Sequence, residues 1–316
     1  MKQAIVGSLV TISILVTGVG CAVSLSQVKQ FGVASSSLGD DARKAFDLAA
    51  TASADRNIYD VASDPSKGPT DTTFQGLFTG GAGDLGKEKA ERLALRLRVL
   101  DQLANYSRAL QELAAADFAE DITAAAADLN GSLVGLRDTY KKASGNDLPI
   151  SDADIGIIAT AVDAIGKAVV EVKRRAAIKT VIIKADPGVQ KATNLIASDL
   201  GPDSDLASFV REALSNSRGS LQLAYNLERK RASSTFDSRY AMLLRARQLY
   251  DAELNTLPFF AAVSDGAAAA GKAHGALRTA VEKGDFSSAD AAKLIGELMV
   301  YVKSEQAFYK SLQAKN

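Results

Sequence analysis

His274 is the only histidine in the chain, so any histidine-based dyad or metal cluster has to be built around it. Gly271, Lys272, Gly275 and Arg278 surround it, and no carboxylate stands three or four residues away to orient the ring. General acid–base work needs a positioned partner, so His274 reads as a surface or interhelix residue. Asp117, Glu120 and Asp121 form the densest acidic cluster. Carboxylate metal sites in helical bundles add Glu-x-x-His pairs on facing helices, and the chain has none. Gly81-Ala82-Gly83-Asp84-Leu85-Gly86 matches G-x-G-x-x-G, but a dinucleotide site needs a buried strand before the glycines and βαβ alternation around them. Neither is legible here. No catalytic set, metal site or cofactor is expected.

The remaining reactive group is Cys21, the sole cysteine. It follows Met1-Lys2, an apolar run from Ala4 to Val19, and Gly20. A basic start, a short apolar core and a small-residue cleavage site describe a secretory signal. The run of about 16 residues is shorter than the roughly 20 that a spanning helix requires. Gly18-Val19-Gly20-Cys21 resembles the lipobox of bacterial lipoproteins, although Gly18 stands where leucine or valine is commonest. The resemblance implies acylation of Cys21, cleavage before it, and, with Ala22 following, transfer to the outer membrane. Two or three acyl chains anchor stably where one does not.

Composition narrows the fold. Lys plus Arg equals Asp plus Glu at 37 each, which gives no bulk attraction to nucleic acid. Aromatic residues are 6%, and there is no Trp. With Cys21 acylated no disulfide can form, so packing must supply the stability. Ala-rich helices fit such a chain better than a β-sandwich with a bulky core.

Periodicity points the same way. Leu93, Leu97, Leu100, Leu103, Tyr106, Leu110 and Leu113 step by three and four, the helical signature. The pattern predicts one helix from Lys87 to Lys142, bent near Gly131 and Gly135 and stopped at Gly145. Ile155, Val162, Val169, Ala176 and Ile183, with Ile158, Ile165 and Val172, predict a coiled-coil-like helix from a Ser151 cap to Asp186. Pro187 is then expected to open a short helix ending at Leu200, before a turn at Gly201-Pro202-Asp203. Ser204-Asp205 starts a run containing Phe209, Leu214, Leu221 and Tyr225, then Phe236, Tyr240, Leu243, Tyr250 and Leu254. Ser233-Ser234-Thr235 interrupts it weakly, leaving one long helix or a bent pair. Pro258 is expected to open another helix, broken near Gly284-Asp285, and Ser287-Ser288 to cap the last one.

The expected fold is all-α: an elongated antiparallel helical bundle of about six or seven helices, several long and coiled-coil-like. Residues 1–20 are read as the signal, 21–60 as the acyl-anchored first helix, and 61–86 as a Gly/Pro-rich loop. Residues 87–316 form the bundle, packed with the first helix as one domain. Phe74, Leu77 and Phe78 share one face in the loop, either closing the bundle end or contacting a partner. Two basic runs stand out: Lys173-Arg174-Arg175 with Lys179, and Arg229-Lys230-Arg231 with Arg239, Arg245 and Arg247. Solvated helix faces explain them; the functional alternative is an acidic envelope component, such as lipid A phosphates, or an acidic protein.

The expected function is a non-catalytic lipoprotein of the outer membrane, facing the periplasm and acting as a helical scaffold or protein-interaction module. Its partners would be the membrane, through the lipid, and an envelope protein, with no role for nucleic acid. A carrier of an apolar or amphipathic ligand between helices is the alternative, and an envelope enzyme a lesser one.

Overall fold

The computed structural model describes residues 25–40, 42, 43, 84–165 and 171–313, which are helical apart from short turns and contain no strand. Among the described residues eight helices follow in order: α1 (26–40), α2 (Asp84–Ala115), α3 (Ala119–Ser144), α4 (Asp152–Asp163), α5 (Glu171–Asp199), α6 (Asp205–Glu228), α7 (Phe236–Glu282) and α8 (Ala289–Gln313). The fold is the expected all-α bundle, with more breaks than periodicity alone indicated.

The predicted Lys87–Lys142 helix is a hairpin instead. Phe118 adopts an extended backbone (φ −121°, ψ 157°), and its N–H donates to the Asp121 carboxylate at 3.3 Å. That cap starts α3 afresh, and α3 folds back until Gly135 lies against Gln102. Gly131 and Gly135 therefore produce no bend that ends a helix. Gly145, at φ 73°, closes α3 in the left-handed conformation that glycine adopts without a Cβ penalty.

The long heptad helix is also divided. Ser151 caps α4 as expected, accepting from the Asp154 N–H at 3.1 Å, but α4 ends at Asp163 and a turn follows at Ala164–Ile165. Val172, assigned to the seam, is 75% exposed. Pro187 and Pro258, expected to open helices, instead lie inside α5 and α7. An interior proline costs a helix about 3 kcal/mol. Buried neighbours on both sides, Ala185 and Val189 around Pro187 and Thr256, Phe259 and Phe260 around Pro258, hold each axis continuous. Thr235 caps α7 through the Ser238 N–H, so α6 and α7 are separate helices joined by residues 229–235.

Four helices form the body. α1 runs antiparallel to α2, with Gly32 beside Ser107 and Gln111 and Gly39 beside Ala104. It is likewise antiparallel to α7: Leu38 meets Gly266, and the Gln27 amide donates to the Ser288 carbonyl at 2.9 Å. α5 is antiparallel to both α2 and α7. Arg174 donates to the Ala116 carbonyl at one end, while Arg96 pairs with Asp199 at 2.6 Å at the other. Along α7, Lys179 donates to the Glu282 carbonyl and Ser264 to the Ala197 carbonyl. α8 returns along α7, and α4 packs on α5 and α3. α6 packs chiefly on α7, with Arg218 bonded to Glu253 at 3.0 Å.

Close approach of backbones is what the small residues provide. A Cβ at Gly32 would stand 2.5 Å from the Gln111 Cβ and 2.6 Å from the Ser107 carbonyl oxygen. Gly32→Ala should therefore destabilise the fold by about 2 kcal/mol through overpacking. Gly131 has nothing within 4 Å of its absent Cβ, so Gly131→Ala should stabilise by about 0.5–1 kcal/mol. Urea unfolding followed by circular dichroism distinguishes the two signs.

Candidate functional site

Two features could carry function: a buried polar network in the body, and an apolar face exposed on the α6–α7 pair.

The network converges on His274, whose side chain is 0% exposed. Each body helix contributes a neighbour. Tyr106 of α2 bonds the ring at Nε2 (2.8 Å), and Asp186 of α5 bonds it at Nδ1 (2.9 Å). Phe31 of α1 meets the ring edge-on at 5.4 Å. Gln190 and Arg278 also donate to Asp186, at 3.1 and 3.2 Å, and Gln190 additionally reaches the Gly271 carbonyl at 2.7 Å. His274 is thus the interhelix residue of the two sequence readings rather than the surface one. The carboxylate that orients it comes from 88 residues away.

Proton positions follow from the partners. Burial alone would raise the Asp186 carboxyl, but hydrogen bonds from His274, Gln190 and Arg278 hold it down at about 2. An ionised carboxylate only accepts, so Nδ1 carries the proton. Burial, reinforced by the Asp186 charge, pushes the Tyr106 phenol far up, so it stays protonated. It donates to Nε2 of a neutral ring and accepts from a protonated one. Tyr–His–Asp is an order that can relay protons. Here Tyr106 and His274 are both fully buried, and a substrate would have to displace a helix to reach them. Two surface grooves, of about 390 Å³ beside Gln102, Arg108 and Asp128 and about 620 Å³ beside Arg211, Glu212 and Glu253, include none of the network residues. The arrangement binds helices together.

The exposed face lies on the first half of α7. Phe236, Tyr240, Leu243, Leu244, Tyr250 and Leu254 are 42–69% exposed. At about 100° per residue they occupy an arc of roughly 120°, about half a turn from buried Leu249 and Thr256. Tyr240 stacks on Phe236 with centroids 5.6 Å apart. Farther along the same line of α7 stand Asp265 and Lys272, both exposed. The outward face is therefore polar where α7 belongs to the body and apolar where it pairs with α6. Leu223 and Leu227 on α6 are exposed as well, at 63% and 46%. Exposed apolar surface of this kind is a candidate interaction site.

These α7 residues were legible as a helical stripe, which periodicity assigns to a core. The signal that it is not all core is a second apolar phase in the same helix, set by Leu249. The basic runs also separate. Arg174 and Arg175 bond Glu171, and Lys179 caps α7. Arg229, Lys230 and Arg231 are exposed beside the apolar face, Arg231 meeting Glu228 at 3.4 Å. Asp121 serves as a cap, and no group of three or more His, Cys, Asp or Glu able to hold a metal occurs among the described residues. Among the same residues, no helix is long and apolar enough to cross a membrane. Cys21, Phe74, Leu77, Phe78 and Gly81–Gly83 lie outside the described residues, and Asp84 begins α2.

Removing His274 leaves the buried Tyr106 hydroxyl without its partner and takes from the Asp186 carboxylate one of its three donors, the other two being Gln190 and Arg278. His274→Ala should cost about 3–5 kcal/mol, and Tyr106→Phe about 1–2 kcal/mol. The Asp186 carboxyl is lower in the folded than in the unfolded chain. Its contribution, about 2 kcal/mol, is complete above about pH 4 and disappears as pH falls through 2. Urea titrations between pH 2 and 7 should show Asp186→Asn losing stability at neutral pH and much of the acid dependence with it.

Compared with protein families, curated proteins and solved structures, the chain matches none.

Proposed function

We propose that this chain is a non-catalytic lipoprotein of the bacterial outer membrane, tethered through Cys21, whose helical rod serves as a docking module in the envelope. The observation that carries the reading is α7, a helix with apolar faces on opposite sides, only one of which is buried. A soluble helix normally keeps one apolar stripe. A second, exposed over about 27 Å, is unfavourable in water unless something covers it. The lipobox-like Gly18-Val19-Gly20-Cys21 supports the tether. The close contacts at Gly32, Gly39, Gly188 and Gly271, where even a methyl group would clash, favour a solid rod over a carrier with space between its helices. The buried setting of His274 favours a scaffold over an enzyme.

Two measurements test the halves separately. Cells fed a labelled fatty acid should mark the wild-type chain and leave Cys21→Ser unmarked and released from the membrane fraction. A photo-cross-linking residue at Leu243 should form a defined adduct in cells, whereas one at Asp265 on the polar part of the same face should not. An unmarked wild-type chain removes the tether. Equal behaviour at both positions removes the docking face.

A further inference from the structure

The distribution of charge and apolar surface at the α6–α7 tip goes further and identifies what that face contacts. We propose that the tip binds the interfacial layer of an anionic phospholipid bilayer. This rests on the reading of the exposed α7 face as a contact surface and names its partner.

Three classes of occupant could cover the face. A second copy of this chain is disfavoured by charge. Residues 229–247 contain six Arg or Lys and a single acid, Asp237. A two-fold pairing would bring that excess against itself. A single mate helix would suit the α7 spacing 236, 240, 243, 247, 250, 254, but it would leave Leu223 and Leu227 of α6 in water. Both leucines sit within about nine residues of the turn, as do Phe236 and Tyr240 on the other side. Apolar side chains thus flank the tip on both helices, in addition to the line that continues along α7.

A bilayer surface covers such a tip from several directions. Leu and Phe enter the acyl boundary, and Tyr240 places its ring in apolar surroundings with the hydroxyl among headgroups. Arg229, Lys230 and Arg231 are exposed in the turn, with Arg239 one helical turn into α7, at the height of the phosphates. Each such cation adds attraction toward an anionic surface. Arg247, in the apolar line itself, is 69% exposed and 3.8 Å from Asp251, a long side chain that can extend to the headgroup layer. The described beginning of α1 lies beside Ser288, just past the other end of α7. About 70 Å of helix therefore separates the described start of α1 from the tip.

The test uses the mature chain, residues 21–316 with Cys21→Ser, so that no acyl chain contributes. It is sedimented with vesicles of phosphatidylcholine alone or with about one third phosphatidylglycerol. Binding should favour the anionic vesicles and weaken as salt rises. The double variant Phe236→Ser/Leu243→Ser should lower vesicle affinity about tenfold or more, and Lys230→Glu/Arg231→Glu should do the same. Each variant should keep the wild-type helical circular dichroism, since all four side chains are exposed. Equal binding to both vesicle types, or variants that bind as the parent does, would overturn the proposal. So would a dimer in sedimentation equilibrium that the apolar double variant abolishes, or cross-links from Leu243 in cells that run only to protein. These last outcomes would leave the docking module intact and change only its partner.

Discussion

The body of the molecule depends on one buried imidazole. His274 hydrogen-bonds α2 through Tyr106 and α5 through Asp186, and packs on α1 through Phe31, all from its own position on α7. Apolar contacts between Ala-rich helices are weakly directional and tolerate sliding by a turn. A polar group at the centre does not, because any other register leaves a buried donor or acceptor unpaired. One ring therefore sets the axial register of four helices, and Arg278 and Gln190 complete the Asp186 end by satisfying its remaining capacity to accept.

Around that centre, small residues decide how close the helices come. Gly271 sits against Thr193, and Gly188 against Ile150, at distances where a Cβ would overlap its neighbour. The same closeness explains why two prolines lie within continuous helices. Packing on both sides of Pro187 and Pro258 offsets the missing hydrogen bond and the ring clash. Where α7 leaves this body it keeps α6 as its main neighbour, and its outward face changes from Asp265 and Lys272 to Leu and aromatic residues. Body and arm differ in what they do with one helix. The first uses it to close a core, and the second presents an apolar face to the exterior.

Much of this was readable beforehand, for physical reasons. Steps of three and four apolar residues, the helix starts at Ser151 and Ser204, and Gly145 and Gly284 at helix ends are local features, and local interactions produce them. The break at Phe118 was not legible in that spacing, because its cap depends on an extended backbone that apolar periodicity does not encode. The partnership of His274 was not legible. Its ligands are 168 and 88 residues distant, and periodicity within a helix contains no information about which helix lies opposite. The exposed stripe was legible as apolar but not as exposed, since a core face and a docking face share the same spacing.

The amino-acid sequence by itself determined the class of structure, some of the places where helices begin and end, and the expectation of a lipid-bearing thiol at Cys21. Those follow from backbone propensity, side-chain periodicity and a short motif, all written within a few residues of one another. Only the tertiary structure decided which helices meet, that Pro187 and Pro258 are carried through, that His274 is sealed within the body, and which face of α7 remains uncovered. Each of those outcomes depends on contacts between residues far apart in the chain. Burial there is a property of the neighbour as much as of the residue.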